Sequence, residues 1–451
     1  MTPVRVLQVA ASDADGGAAR AGYRLHQMLL EQGGALDLTS AMLVCHKVTS
    51  DPSVAVGRAC ARTRLQESLR YHRQRWRSRG FGTASDALHS IAWPATGLGA
   101  ELARAPADVL HLQWLGRDTL SVEEIGALRR PTVWTMHDMW SFCGAEHYAD
   151  DSRYVSGYTR ATRPAHESGP DLNRWTWERK ERAWRTPMHL VAPSTWLRDC
   201  VRRSRLMHNW PCTVIPYPLD LSVFRSMDKR EARQRLGLPA EVPAVLFGAI
   251  GGSTDRRKGA DLLLEALAKL RTPNAGGSTP NLQILTFGEQ PQTDAEHAFA
   301  QVAAMLGAPL RSFGVLRDDA QLQLHYAAAD VMVVPSRMDN LPQTATEAMA
   351  CGTPVVAFRL GGLSDIVQHE QTGYLAEPLD TTSLAEGIRW VLSDAARRRA
   401  LSDAARVFAE QRWAPAIVAQ QYADVYRQAL AVATPARGTA PERRPAPKEN
   451  G

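Results

Sequence analysis

Two parallel-sheet, Rossmann-like α/β domains are what this sequence predicts, and three observations predict them. Short apolar strand-like runs alternate with helical segments in both halves of the chain. The alternation halts at a Pro- and Gly-containing connection and restarts near residue 240. The 451 residues also exceed one core of ordinary size, so two or three domains are expected.

The first strand is Val4 to Ala10, followed by Gly16 and Gly17 at the start of an amphipathic helix. Backbone N–H groups there can face an anion, although an isolated Gly-Gly also fits an ordinary βα turn. Asp13 and Asp15 form a DxD, read as capping or loop solvation in preference to a metal site. Residues 61–81 carry seven arginines against one glutamate, interleaved with Leu65, Leu69, Tyr71, Trp76 and Phe81. Two readings stand for this segment: a helix lying on an anionic bilayer, or a solvated helix face. The runs 108–116 and 131–140 are strands, with His111 and His137 toward their polar ends. A lone strand-end histidine is usually structural, and His137 is the better functional candidate because Asp138 could set its tautomer.

Residues 141–185 are expected to form a long irregular excursion over a cleft. His189 to Val201 reads as a strand and helix, and Cys212 to Phe224 as one more strand followed by a Pro-containing connection, after which a basic, Glu-containing helical stretch ends at Gly237 and Pro239. Beyond it come a strand at 243–250, the glycine-bounded basic turn GGSTDRRKG, a helix, and further strands at 282–288, 311–316 and 331–334. The run 328–362 reads as strand, polar turn, a helix opening near Leu341, and a strand from Pro354 to Phe358 ending on Gly361 and Gly362. Asp339 and Glu347 bracket that turn, eight positions apart, and on a helix would share one face. The tail 434–451 is Pro-rich and charged, and is expected to be disordered.

No apolar run approaches the ~20 residues of a membrane-spanning helix. The start of the chain lacks the apolar core of a signal peptide, so a cytoplasmic protein is expected. Six cysteines without a CxxC pair predict free thiols. The net charge of +6 suits an anionic partner. No recognised nucleic-acid-binding fold accompanies it, so nucleic acid is not the expected partner.

Arg256, Arg257 and Lys258 stand after a strand, at the sheet edge that also carries Asp339 and Glu347, and can counter a diphosphate. With these residues in view, PSRMDNLPQTATEAMACGTPVVAF resembles the E-x7-E signature of the retaining GT-B glycosyltransferases of family 4, and DRRKG resembles that family's phosphate-binding lysine turn. VIPYPLDLSVF is similar to its interdomain strand, with Tyr217 and Pro218 where Asn-Gly is commoner. TMHDMW and VAPSTWL look most like the exopolysaccharide and colanic-acid-type branch. The resemblance covers about residues 3–430.

It implies a GT-B fold: an acceptor domain over 1–218 facing a nucleotide-sugar domain over 219–412 across a cleft, with a final helix at 413–433 packing back on the first domain. It implies that Glu347 binds the ribose hydroxyls, and Lys258 with Arg257 the diphosphate. Asp339 would contact the donor sugar, Asn340, Leu341, Gln343 and Thr344 would present backbone to sugar and phosphate, and Val315 and Leu316 would border the base. Gly16 and Gly17 would belong to the donor site, with Gly17 approaching the phosphate or sugar, and His137 would touch the sugar near the reacting centre. Three departures stand out: Asp339 replaces a longer glutamate, Gly252 replaces an arginine six positions before Lys258, and Pro342 replaces a glycine and donates no N–H. The implied activity is transfer, with retention, from a UDP- or GDP-sugar to a lipid-linked or oligosaccharide acceptor in cell-surface polysaccharide synthesis (exopolysaccharide or lipopolysaccharide). No cofactor and no metal are expected. The rival readings are a non-catalytic sugar-nucleotide-binding subunit and a GT-B hydrolase or epimerase.

Overall fold

The computed structural model describes residues 2–61, 64–249, 255–271, 281–288 and 294–433. Strands β1 (Val4–Ser12), β2 (Leu38–His46), β3 (Val54–Val56), β4 (Val109–Leu112), β5 (Thr132–Thr135), β6 (His189–Ala192) and β7 (Cys212–Val214) form one sheet in the order β3-β2-β1-β4-β5-β6-β7. Strands β8 (Ala244–Gly248), β9 (Gln283–Phe287), β10 (Leu310–Ser312), β11 (Val331–Val334), β12 (Val355–Phe358) and β13 (Gly373–Ala376) form the other, in the order β10-β9-β8-β11-β12-β13. Every pairing in both sheets is parallel. Chain order reverses at β1/β4 and at β8/β11, and such switch points are where open α/β sheets bind ligands.

Burial on both faces explains the near-continuous apolar strands. The first sheet packs between a cluster around Leu110, Trp134 and Leu190 and one around Val6, Val109 and Val133. The second cluster is completed by helix α1 (Gly17–Gln32) and by a long C-terminal helix, 415–433, whose Tyr422 and Tyr426 are fully buried against the first sheet. The second sheet lies between clusters centred on Met332 and Val333.

The basic segment contains a helix, as both of its readings required, α2 (Arg64–Arg77). Several other expectations are corrected. Residues 141–185 are not one irregular loop: they include helix α3 (Leu172–Ala183), whose fully buried Lys180 donates to the carbonyls of Trp140, Cys143 (3.1 Å) and Gly144 (2.8 Å). That ammonium gathers the preceding turn onto the helix, an arrangement no local pattern announces. Cys45 and Cys60 are bonded rather than free, their Cα atoms 5.0 Å apart, while Cys143, Cys200, Cys212 and Cys351 are free. Val315 and Leu316 lie beyond β10 and not within a strand. Gly252 and the tail from 434 fall outside the described residues. No described helix is long and apolar enough to cross a membrane.

Candidate active site

The carboxyl ends of both sheets open onto one cleft of about 740 Å³ between the domains. On the C-terminal side, β11 runs into the loop 335–342, and helix α4 (Gln343–Ala350) starts only at Gln343. Asp339 is therefore on the loop, not on a shared helix face with Glu347, yet both line the cleft. Asp339 Oδ2 accepts from Lys258 Nζ at 2.6 Å and lies 3.7 Å from Arg257 Nη1. Burial alone would raise its pKa, but the Lys258 and Arg257 charges outweigh it and hold the carboxyl below the usual range.

The lysine turn reaches the loop because Gly259 is there. It has φ +73°, and a Cβ on it would sit 2.0 Å from the Pro335 carbonyl oxygen, so only glycine permits the approach. Arg337 N–H donates to the Arg257 carbonyl at 2.8 Å, completing the junction. Arg257 itself donates to Asp255 (2.6 Å) and to the Met338 carbonyl (3.1 Å), and its guanidinium lies 4.5 Å from the centre of the Tyr148 ring in the other domain. Glu347 is 3% exposed and has both oxygens occupied. Tyr326 Oη donates to one at 2.7 Å, and Arg24 Nη1, from α1 of the N-terminal domain, donates to the other at 2.7 Å.

On the N-terminal side, Gly16 (φ +97°) and Gly17 start α1, and the Gly17 carbonyl accepts from Gln343 Nε2 at 2.5 Å. His137 lies at the end of β5 with Nε2 2.9 Å from Gln113 Oε1 and Nδ1 2.9 Å from Tyr217 Oη. Its ring stacks on Tyr217 at 5.3 Å between centroids. Burial pushes its pKa down to about 4, so it is a neutral imidazole at pH 7. Asp138 does not orient it. That carboxylate accepts instead from His147 Nδ1 (2.7 Å), Trp114 Nε1 (2.8 Å) and the Trp140 N–H (2.9 Å).

Asn340 uses its side chain as a clasp between domains. Nδ2 donates to the Met136 carbonyl (3.2 Å) and the His137 carbonyl (3.3 Å), and Oδ1 accepts from Ser194 Oγ (2.7 Å). Gly362 permits this, since a Cβ there would lie 1.5 Å from the Asn340 carbonyl oxygen.

The structure thus brings Gly16, Gly17, His137, Arg257, Lys258 and Leu316 to one cleft with Asp339, Asn340, Leu341, Gln343, Thr344 and Glu347. Val315 is not among the lining residues. Sequence reasoning missed Arg20, Tyr148 and the functional weight of Tyr217, all of which line it. For Arg20 and Arg24 a signal existed: two arginines at i, i+4 on the helix following the glycines. Among the described residues no three His, Cys, Asp or Glu are gathered to hold a metal. Asp13 is used to accept from the Val48 N–H (2.7 Å) and Thr49 N–H (3.0 Å), and Asp15 pairs with Arg117 (2.6 Å).

Residues 16–223 match the family model described as Glycosyltransferase Family 4, and residues 228–408 match that of Glycosyl transferases group 1. A D-inositol 3-phosphate glycosyltransferase from Geodermatophilus obscurus is 37% identical over 233 residues, 50% of this chain and 50% of the relative. The chain spans about half the length of the curated relatives it matches. That relative's name concerns inositol phosphate, not the exopolysaccharide branch to which TMHDMW and VAPSTWL pointed. Sucrose-phosphate synthase from Thermosynechococcus elongatus superposes with a TM-score of 0.65 at 21% identity, covering 95% of this chain and 100% of that one. HepE from Anabaena, solved with UDP and glucose, superposes with a TM-score of 0.61 at 18% identity, covering 94% of this chain and 100% of that one. At such identities the likeness is one of fold, the GT-B arrangement of two parallel sheets about a cleft. With two family models matched in succession along it, the chain belongs to glycosyltransferase family 4.

Proposed function

We propose that the protein transfers a sugar, with retention, from a nucleotide-diphosphate sugar to a hydroxyl of a lipid-linked or oligosaccharide acceptor. The observation that carries this reading is the junction of Lys258, Arg257 and Asp339 facing Glu347 in one interdomain cleft. Carboxylates accept from sugar hydroxyls, and fixed cations stabilise a diphosphate as its charge grows on departure. No strong base is needed, because an oxygen of the departing diphosphate can take the acceptor proton. His137, neutral and with both nitrogens engaged, serves as a wall beside the sugar and not as a proton carrier.

UDP is the first donor base to test, on the analogy of HepE. A second reading, with an inositol phosphate as acceptor, is favoured by the relative from Geodermatophilus obscurus. The test incubates the protein with UDP-, GDP- and ADP-sugars, with and without glycan-lipid or inositol phosphate acceptors, and identifies the products. Acceptor-dependent transfer is expected. Hydrolysis indifferent to acceptor would replace the reading with a hydrolase, and nucleotide binding without turnover would replace it with a binding subunit. We further propose peripheral contact with anionic lipid through α2, on which Leu69, Tyr71 and Trp76 are exposed among arginines.

A further inference from the structure

If the cleft takes a nucleotide diphosphate, as proposed above, three of the cations that line it from the C-terminal domain beside Arg256, namely Lys258, Arg257 and Arg337, are already paired with carboxylates. The sequence has Gly252 six positions before Lys258, where the resemblance leads one to expect an arginine. Arg257 is committed to Asp255, to the Met338 carbonyl and to the face of Tyr148. Arg337 also lines the cleft, but both its terminal nitrogens are held by Asp261 at 2.7 Å.

Arg20 approaches the same cleft from the opposite domain. Its N–H donates to the Gly16 carbonyl at 3.1 Å, so it stands in the first turn of α1, directly after the glycine loop. Its guanidinium is paired with one oxygen of Asp319, on the helix Asp319–Ala328 of the C-terminal domain, and the two side chains are 18% and 36% exposed. The other Asp319 oxygen accepts from Arg24 Nη2 at 3.0 Å. Arg20 can therefore turn away without leaving that carboxylate unpaired.

We propose that Arg20 supplies, from the acceptor domain, the diphosphate contact missing at position 252. The planar fork of a guanidinium matches two phosphate oxygens at once, which an ammonium cannot do. Because Arg20 belongs to the acceptor domain and Lys258 to the donor domain, the leaving group is fully neutralised only when the cleft is closed. Donor cleavage is thereby tied to the arrangement in which an acceptor is held.

The test is calorimetric titration of the full chain with UDP, GDP and ADP, and with uridine, guanosine and adenosine, for wild type, Arg20→Gln, Arg20→Lys and Lys258→Ala. Arg20→Gln is expected to weaken the bound diphosphate about tenfold or more, to leave its nucleoside within about twofold, and to be partly rescued by Arg20→Lys. If the glutamine variant fails to fold, the lysine variant alone must show an intermediate, diphosphate-specific loss. Equal losses for nucleoside and diphosphate, or tighter diphosphate binding on removing Arg20, would overturn the proposal while Lys258→Ala still weakened binding. If Lys258→Ala is also without effect, or no diphosphate binds, the donor-site reading itself fails.

Discussion

His137 carries its proton in one arrangement only. Gln8 Nε2 donates to Ser40 Oγ at 3.2 Å, leaving Gln8 Oε1 to accept from Gln113 Nε2 at 2.9 Å. That turns Gln113 Oε1 toward His137, so His137 Nε2–H donates to it and Nδ1 accepts from the Tyr217 hydroxyl. Replacing Tyr217 with Phe would leave a buried acceptor unpaired, and urea unfolding should show a loss of about 1–3 kcal/mol. Lys258→Ala and Glu347→Gln are expected to lower kcat/KM by about 10²-fold, the scale of losing one preorganised charge partner, and Glu347→Gln also to lower the melting temperature, because it leaves the largely buried Arg24 guanidinium without the Glu347 carboxylate. Near-normal turnover in both folded variants would sink the site assignment. Lys258 and Asp339 are 2.6 Å apart, so a donor bound as proposed would have to exchange with that pairing.

Among the elements, α2 is held by one side and open on the other. Arg70 and Gln74 bond to Asp118, and the Arg77 guanidinium lies 4.2 Å from the centre of the Trp175 ring. Leu69, Tyr71 and Trp76 are 51%, 56% and 73% exposed. Leu69, Arg73 and Trp76 recur at i, i+4 and i+7, so they share a face. Co-sedimentation with anionic vesicles is expected for wild type and should be lost when Arg73→Glu and Arg75→Glu are combined with Trp76→Ser. Unchanged sedimentation would assign this face to solvent. The C-terminal helix acts differently: it is a cover for the first sheet. Tyr426 Oη bonds His111 Nδ1 at 2.8 Å, and Tyr422 Oη bonds Thr135 Oγ1 at 2.9 Å. Tyr426→Ala should cost about 3–5 kcal/mol by opening a cavity beneath the sheet.

For the whole molecule, the two domains are clasped at both ends of the cleft. Arg24 and Gln343 join α1 to α4 at one end, and at the other the loop residue Asn340 accepts from Ser194 while Asp365 accepts from the Thr195 N–H (2.6 Å) across the same two domains. Acid should loosen the N-terminal half in particular. Burial pushes His111 down to about 3, well below its unfolded value near 6.5. As pH falls the unfolded chain takes the proton first, so this contribution is complete above about 6.5 and is lost toward 3, at about 1.4 kcal/mol per pH unit. The slope of stability between pH 7 and pH 5 should flatten in His111→Gln relative to wild type. Equal slopes would show that His111 is not titrating.

Periodicity and turn chemistry by themselves determined that there are two parallel α/β domains, that Val331 to Val334 is a strand, and that Gly16, Lys258 and Asp339 stand in the turns that follow strands, with Glu347 on the helix after the last of these. Each of these is a local fact: alternation, strand length, and where a glycine must stand. Only the tertiary structure decided which groups meet. It paired Glu347 with Arg24, 323 positions away, gave Asp138 to His147 and not to its neighbour His137, moved Val315 out of the lining, and brought Cys45 to Cys60. Such partners are chosen by which strands lie side by side and how closely two domains shut. Those quantities depend on packing across the whole chain, and no single segment encodes them.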